Sequence, residues 1–247
     1  MPADVPRLQL QGITRRYGAL VVTSDLSVSV APGQAYGVIG PNGAGKSTLV
    51  KLINGQLRPD AGRVLLDGID ITSLGPEQRC RAGIATAFQV PQPFGGMSVY
   101  ENLLVAAAWS TGRSERDCRA ECVALLERTG LVAQADRDAG ALGLLDRKRL
   151  ELARALACKP RLLLLDEIAG GLTDHEIPAL LQIIRPLAAQ GITVFWIEHV
   201  VHALLAVIDR LLVIDFGTWV AEGEPRSVFT SEPVQRIYLG MGGEHAA

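Results

Sequence analysis

Short apolar runs alternate with amphipathic stretches along most of this chain. Continuous apolar runs at 35–39, 84–88, 162–165 and 193–197 predict buried strands. Nearer the amino terminus, 8–17 and 25–30 alternate apolar and polar residues, which predicts an antiparallel portion with one exposed face. Because helical runs of ten or more residues separate the buried strands, we expect an α/β fold with a mainly parallel sheet.

The pattern changes after residue 90. Following a loop rich in proline and glycine, residues 97–109 and 114–128 have helical periodicity, and a third helix begins near Leu144. Gly130 is placed to end the second of these helices. We therefore predict one domain over 1–247, with a helical subdomain at 91–156 inserted between two core segments, 1–90 and 157–247.

A glycine-rich motif lies between the strand at 35–39 and the next helical run. It reads GPNGAGKST and matches the phosphate-binding loop pattern in its required strand–loop–helix context. We expect Lys46 to reach the β- and γ-phosphates of a nucleotide and Ser47 to supply an oxygen to Mg²⁺. The alternative is a glycine-rich turn that matches by chance. The nucleotide-binding residues predicted from this motif are Gly40, Pro41, Asn42, Gly43, Ala44, Gly45, Lys46, Ser47 and Thr48.

Two acidic residues follow the apolar strand at 162–165. Open α/β sheets bind ligands at the carboxyl ends of their strands, where Asp166 and Glu167 are expected to lie. Asp166 is predicted to hold Mg²⁺ through water, and Glu167 to polarise the water that attacks the γ-phosphate. An ordinary polar strand end is the alternative, although it leaves the association with a phosphate loop unexplained.

Gln89 and His199 follow two other predicted core strands, so all these side chains should meet at one edge of the sheet. An amide oxygen of Gln89 suits the metal or the attacking water, and His199 suits a hydrogen bond to the γ-phosphate. Taken singly, each is more often a structural polar residue. Their shared position favours a catalytic role.

Composition excludes several other classes of function. The net charge is −2 and the isoelectric point about 6.1, without a basic block, which argues against a nucleic-acid partner. The apolar runs are too short to span a bilayer, and the amino terminus has no export signal, so we expect a cytoplasmic location. Four cysteines show neither a C-x-x-C pair nor metal-ligand spacing.

In order and spacing, these motifs resemble those of ATP-binding subunits of ABC transporters. The local sequence is similar to that of the LivG type of branched-chain amino acid importer ATPases at 166–172, 197–199, 221–225 and 238–240. The resemblance implies an ATPase dimer on the inner face of the membrane, bound to permease subunits and fed by a periplasmic or surface solute-binding protein. It also implies that Tyr17 stacks on adenine.

The chain departs from the family where an L-S-G-G-Q signature should bind the γ-phosphate held by the other subunit. A glycine replaces the serine, two leucines replace the glycines, and an aspartate brings negative charge near phosphate. Thr173 also stands where the family usually has Asp or Asn. The positions of this degenerate signature are Leu142, Gly143, Leu144, Leu145 and Asp146.

Two readings of this departure stay open. In one, the chain pairs with a different ATPase subunit that has an intact signature, although a homodimer is possible. In the other, Leu144 and Leu145 only pack the subdomain, and Gly143 still donates its backbone N–H.

Two other functions compete with solute import. A soluble regulatory or scaffolding ATPase would use the same nucleotide motifs, although such proteins often carry two cassettes in one chain. A GTPase or small-molecule kinase is the third class, but the sequence has no N-K-x-D guanine motif.

Overall fold

A computed structural model describes residues 5–240, so residues 1–4 of the amino-terminal segment considered above lie outside it. The chain forms ten strands and nine α-helices over the described range. The strands are β1 Leu8–Tyr17, β2 Leu20–Val30, β3 Ala35–Ile39, β4 Ala61–Leu66, β5 Ile69–Asp70, β6 Ile84–Ala87, β7 Leu162–Asp166, β8 Thr193–Ile197, β9 Arg210–Asp215 and β10 Thr218–Gly223. The helices are α1 Lys46–Ile53, α2 Pro76–Arg81, α3 Val99–Thr111, α4 Glu115–Thr129, α5 Leu144–Ala157, α6 Ile177–Ala189, α7 Val201–Leu205, α8 Pro225–Phe229 and α9 Glu232–Gly240.

The larger sheet has six strands in the order β10-β9-β3-β8-β7-β6. The five strands from β9 to β6 in this order are parallel to one another. Strand β10 pairs antiparallel with β9 through the turn at Phe216 and Gly217. The second sheet is antiparallel, with the order β2-β1-β4-β5. The predicted fold class, a mainly parallel sheet with an antiparallel portion near the amino terminus, is confirmed.

The parallel strands are apolar throughout because both of their faces are covered. Leu163 and Leu165 of β7 point into one hydrophobic core, which α5 and α6 also line. Leu162 and Leu164 point into the other, which contains α1 and the antiparallel sheet. Successive side chains of a strand face opposite ways, so a run of four leucines supplies both cores equally.

Strand β2 begins at Leu20, five residues before the predicted start. Tyr17 pairs with Leu20 and Arg15 with Thr23, so the two strands continue to a tight turn at Gly18. Leu20 is 65% exposed, and backbone pairing rather than burial therefore holds this end of the hairpin. An apolar residue facing solvent gives no alternation to detect, which is why the sequence pattern missed it.

A third hydrophobic cluster contains residues of α3, α4 and α5 and the 3₁₀ turns between them. Helix α3 starts at Val99 because Ser98 caps it, accepting from the Glu101 N–H while the Glu101 carboxylate accepts from the Ser98 N–H. Gly130 ends α4 in the left-handed conformation, as predicted. Helix α5 contributes to this cluster and to the core beside the parallel sheet.

Helix α6 begins at Ile177, and the stretch at 173–176 just before it does not form a capping box although its T-x-x-E pattern fits one. The Thr173 hydroxyl donates to Glu176 Oε2 at 2.8 Å, and the Glu176 N–H donates to the Thr173 carbonyl at 2.9 Å. The two residues close a turn ahead of the helix. Thr173 therefore uses its hydroxyl as a donor, whereas an N-cap needs it as an acceptor.

Candidate nucleotide site

The carboxyl ends of four parallel strands form one edge of the large sheet. In sheet order, β3 leads into the loop at Gly40, β8 to His199, β7 to Glu167 and β6 to Gln89. Parallel strands with crossover helices necessarily place these ends side by side. The topology alone thus gathers four of the predicted segments.

The loop after β3 depends on glycine at two closely packed positions. A Cβ atom on Gly40 would lie 2.1 Å from the Ile214 carbonyl oxygen, and one on Gly45 would lie 2.4 Å from the Val22 carbonyl oxygen. Gly45 also has a φ of 97° and is the N-cap of α1. Helix α1 therefore starts at Lys46 with its N-terminal amides facing the loop, which is the arrangement that binds anions.

Lys46 is folded back into this loop. Its ammonium donates to the carbonyl oxygens of Gly40 at 2.7 Å and Pro41 at 2.9 Å, and the residue is 5% exposed. Burial lowers the pKa of Lys46, whereas the nearby charges of Glu167 and Asp166 raise it. The site thus places one buried cation between the phosphate loop and two carboxylates.

Glu167 lies directly after β7 and is 6% exposed. Its backbone has a φ of 49°, a strained value for a residue with a side chain. One carboxylate oxygen, Oε2, accepts from Gln89 Nε2 at 2.6 Å and contacts His199 Nε2 at 2.6 Å. Three of the predicted catalytic side chains therefore meet at a single oxygen atom.

Gln89 is also held from behind by α5. Lys148, which is 2% exposed, donates to the Gln89 carbonyl oxygen at 2.6 Å. One and two turns further along α5, Glu151 accepts from the Phe88 N–H at 3.4 Å, and Arg154 donates to the Gln92 carbonyl at 2.9 Å. These contacts bind the segment after β6 to a helix of the third cluster.

A cleft of about 520 Å³ collects most of the predicted site. Tyr17 lies at its rim, 46% exposed, with the Arg15 guanidinium 5.1 Å from the centre of its ring. Gly40, Pro41 and Ala44 contribute to the loop without lining the cleft. The predicted residues that line the cleft are Tyr17, Asn42, Gly43, Gly45, Lys46, Ser47, Thr48, Gln89, Glu167 and His199.

Asp166 does not line that cleft. It lies in an adjoining cavity of about 310 Å³ that also contains Gln89 and Lys51. Its Oδ1 atom is buried and has no hydrogen-bond partner among the described residues. Burial and the charge of Glu167 raise the pKa of Asp166 to about 6. An unpartnered carboxylate oxygen next to an amide is the type of ligand that a hydrated Mg²⁺ uses, so the donor set fits this metal.

The degenerate signature lies elsewhere, at the amino terminus of α5. Gly143 is the N-cap and makes no side-chain hydrogen bond, and Leu144 is 46% exposed. Asp146 lies in the first turn and pairs with Arg149 at 3.0 Å. None of these side chains lines the cleft of the same chain.

Two buried charged residues at the site escaped the sequence analysis. Lys148 resembles any other basic residue of a helix, and only its distance from Gln89 in space reveals its contact. Glu198 is 1% exposed and accepts hydrogen bonds from backbone N–H groups on both sides of the site. Its position between an apolar strand and His199 was a detectable signal, because a charged residue there must find partners.

The described helices include none with both the length and the apolar character required to cross a bilayer.

Comparison with known proteins identifies the family. A family model described as ABC transporter matches residues 23–170. The chain is 34% identical to the high-affinity branched-chain amino acid transport ATP-binding protein BraF of Pseudomonas aeruginosa, over 95% of this chain and 98% of the relative. It is 36% identical to the lipopolysaccharide export system ATP-binding protein LptB of Acidithiobacillus ferridurans, over 94% and 96% of the two chains.

Solved structures agree with this match. The crystal structure of the ADP conformation of an ATP-binding cassette of an ABC transporter superimposes with a TM-score of 0.87, at 32% identity, over 96% of this chain and all of the other. The fold described above is thus that of an ATP-binding cassette. The chain belongs to the ABC transporter family, in which it is an ATP-hydrolysing, ATP-binding cassette.

Proposed function

We propose that this chain powers the import of branched-chain amino acids or a related small polar solute, with Glu167 as the general base for ATP hydrolysis. One observation carries the assignment of the base: Glu167 Oε2 is held by both Gln89 and His199 at the cleft that contains Lys46. Those two contacts fix the orientation of the carboxylate. Its other oxygen, Oε1, accepts no hydrogen bond from the described residues, which leaves it available to take a proton from the attacking water.

The phosphate loop supplies the binding part of the reaction. Backbone amides at the start of α1 hold the β- and γ-phosphates, and the Lys46 ammonium exchanges its two carbonyl contacts for phosphate oxygens. Tyr17 supports the adenine ring at the rim of the cleft. Glu167 then takes a proton from water as the water attacks the γ-phosphorus. The bond between that phosphorus and the β,γ-bridging oxygen breaks, ADP leaves, and His199 donates to the phosphate oxygens.

Ser47, Gln89 and Asp166 form the proposed Mg²⁺ site. The bound cation would neutralise charge on the β- and γ-phosphates. Because Gln89 Nε2 donates to Glu167, the amide oxygen of Gln89 is the atom available to the metal. Asp166 presents an unpartnered oxygen, among the described residues, in the adjoining cavity that Gln89 also lines.

Replacing Glu167 with glutamine tests the general base. We expect turnover to fall by about 100- to 10,000-fold, because glutamine cannot accept the proton, whereas ATP binding should persist. Glu127→Gln, an exposed change on α4, is the matched control and should turn over like the wild type. Turnover that survives Glu167→Gln, measured by phosphate release at saturating ATP, would show that another group is the base.

The solute assignment is supported by the extent of the BraF match, which covers nearly all of both chains. Export is the second candidate, because the LptB match is equally extensive. In the import proposal the chain works on the inner, cytoplasmic face of the membrane, bound to permease subunits. A periplasmic or surface binding protein delivers the solute, and no nucleic acid takes part.

Reconstitution distinguishes these candidates. The chain would be purified from its native membranes with the polytopic proteins that accompany it, and placed in liposomes with ATP inside or outside. Import predicts ATP-dependent accumulation of labelled leucine when a solute-binding protein is present. Accumulation should stop with Glu167→Gln. Loss of labelled lipopolysaccharide from the liposomes, without leucine uptake, would favour export.

We further propose that the partner ATPase is a different subunit. Gly143 offers no hydroxyl, Leu144 projects from the end of α5, and Asp146 adds a negative charge in its first turn. A second subunit with an intact signature would complete the phosphate loop of this chain. The loop of that subunit would in turn face the poorer α5 terminus.

A further inference from the structure

Glu198 is a buried carboxylate whose hydrogen-bond partners, within the part of the chain that the structure describes, include no predicted nucleotide-binding side chain. It lies directly after β8 and accepts four N–H groups. Oε1 accepts from the Ala169 backbone at 2.6 Å and from the Trp196 indole at 3.4 Å. Oε2 accepts from the His199 backbone at 3.1 Å and the Val200 backbone at 3.2 Å. A carboxylate is an acceptor only, so this side chain meets all four donors without conflict.

These bonds fix both segments that meet at the catalytic carboxylate. The Glu167 N–H donates to the Ile197 carbonyl at 2.8 Å, and the Ala169 N–H then donates to Glu198. The segment after β7 is thus held against the segment after β8 at two successive points. The second point uses a side chain in place of a backbone carbonyl.

Strain explains why such a hold is needed. Glu167 adopts a φ of 49°, which a residue with a Cβ atom avoids unless its surroundings impose it. Glu198 binds the residue two positions after Glu167 and also the backbone of His199. It therefore sets the two ends of the 2.6 Å contact between Glu167 and His199.

Burial and hydrogen bonding act on the Glu198 carboxylate in opposite directions. Burial raises the pKa of Glu198, and its backbone and indole hydrogen bonds oppose that rise. Burial lowers the pKa of the nearby buried Lys148, and among the charges that oppose this shift Glu198 has the largest effect. Glu198 thus offsets part of the cost of burying the Lys148 ammonium.

We propose that Glu198 is a positioning residue for ATP hydrolysis, which holds the backbones around Glu167 and His199 so that their side chains meet. The proposal rests on the roles assigned above to Glu167 and His199. The four hydrogen-bond donors of Glu198 are backbone N–H groups and an indole, and none is a side chain assigned above to the base, the metal or the phosphates. The effect of Glu198 should therefore appear in the chemical step and not in ATP binding.

Glu198→Gln is the first test. The amide nitrogen of glutamine cannot accept, so one pair of N–H donors loses its acceptor and the two segments separate. We expect kcat to fall by about 100-fold, the size of effect that a misplacement of about 1 Å produces, with the Kd for ATP nearly unchanged. The amide proton signal of Ala169 should also move upfield in the NMR spectrum. A wild-type kcat would overturn the proposal.

Asp67→Asn is the matched control for losing a buried carboxylate. Asp67 pairs with Arg7 and Arg161 at the opposite edge of the sheet, with 7% of its side chain exposed. We expect this variant to lose stability but keep its kcat. If Asp67→Asn lowered kcat as much as Glu198→Gln, general destabilisation would explain both results and the proposal would fail.

A double-mutant cycle with His199→Ala separates positioning from a purely structural role. If Glu198 acts by placing His199 against Glu167, Glu198→Gln should cost much less once His199 is removed. Fully additive losses would contradict the proposal. If Glu198→Gln fails to fold, Glu198→Asp is the second variant, because aspartate keeps the charge but is too short to reach both segments. A wild-type kcat in Glu198→Asp would also overturn the proposal.

The two proposals can fail separately. Turnover that survives Glu167→Gln would remove the proposed base, whatever Glu198 does. An inactive Glu167→Gln beside a fully active Glu198→Gln would remove only the positioning role.

Discussion

The N-termini of α1 and α5 resemble each other in their N-cap residue but differ in backbone conformation and in charge. Both α1 and α5 begin after a glycine N-cap that makes no side-chain hydrogen bond. The first turn of α1 contains no acidic residue, and its N-cap Gly45 is left-handed. The first turn of α5 contains Asp146, and its N-cap Gly143 is extended.

The difference shows what a phosphate site needs beyond a helix dipole. At α1, a glycine-rich loop brings backbone amides and Lys46 to one cleft. At α5, Leu144 protrudes, and Asp146 puts a carboxylate in the first turn with Arg149 as its partner. A helix dipole favours an anion by only about 0.3 to 1 kcal/mol, so a carboxylate in the first turn is enough to cancel it.

Restoring the signature residues at the start of α5 should make this terminus able to bind a phosphate, as we propose for α1. We predict that Gly143→Ser, Leu144→Gly and Leu145→Gly, combined with Glu167→Gln to preserve ATP, strengthen ATP-dependent self-association by about 10- to 100-fold. A hydroxyl that hydrogen-bonds a charged phosphate contributes about 1.5–3 kcal/mol. Sedimentation velocity with and without ATP measures the association.

Glu167→Gln alone is the reference for that experiment, and Gly143→Ala is the control that adds a Cβ atom without a hydroxyl. Neither should gain ATP-dependent association. If Glu167→Gln with its native signature already self-associates as strongly as the restored variant, the asymmetric dimer is wrong. In that case the reading in which Gly143 donates only its backbone N–H is correct.

Asp166 differs from Asp146, because its buried Oδ1 atom has no hydrogen-bond partner among the described residues whereas Asp146 pairs with Arg149. The raised pKa of Asp166, about 6, means that the folded protein binds a proton more readily than the unfolded chain. Ionised Asp166 therefore destabilises the fold above pH 6, and the cost disappears as the pH falls below about 4.

We predict that Asp166→Asn raises the free energy of unfolding at pH 7.5 by about 1 kcal/mol without nucleotide, a figure reduced for partial solvent screening. The gain should vanish near pH 4, and Mg²⁺-dependent turnover should fall. Urea unfolding at several pH values measures it. A gain independent of pH would mean that burial of charge is not its cause.

Sequence reasoning placed the strands and the phosphate loop well because both obey local rules. Four leucines between polar residues predict β7, and the glycine spacing predicts the loop before α1. The positions of Gln89 and His199 at one edge also followed, since parallel strands align their carboxyl ends. Their predicted chemical roles, and the bounds of the helical subdomain at 91–156, stay predictions.

What the sequence could not supply were contacts between distant segments. Lys148 lies 59 residues from the carbonyl it binds, and Glu198 lies 29 residues from Ala169. The spacing of apolar residues along a sequence gives no information about contacts between segments so far apart. Asp166 shows the same limit. The motif predicts that it holds Mg²⁺ through water, and only the structure shows that it lines the adjoining cavity and not the cleft, because adjacent residues at a strand end point in different directions.

The smallest effect should come from Asp146 alone. In the Glu167→Gln background, Asp146→Asn removes the anion from the first turn of α5 and should strengthen ATP-dependent self-association by about two- to fivefold. It should also lower the free energy of unfolding by a few tenths of a kcal/mol, because the helix loses an acidic residue at its N-terminus and the Arg149 pair. Arg149→Met, which removes the partner but keeps the anion, should lower stability without improving association. If Arg149→Met strengthened association as Asp146→Asn does, the ion pair and not the charge near phosphate would be what weakens this terminus.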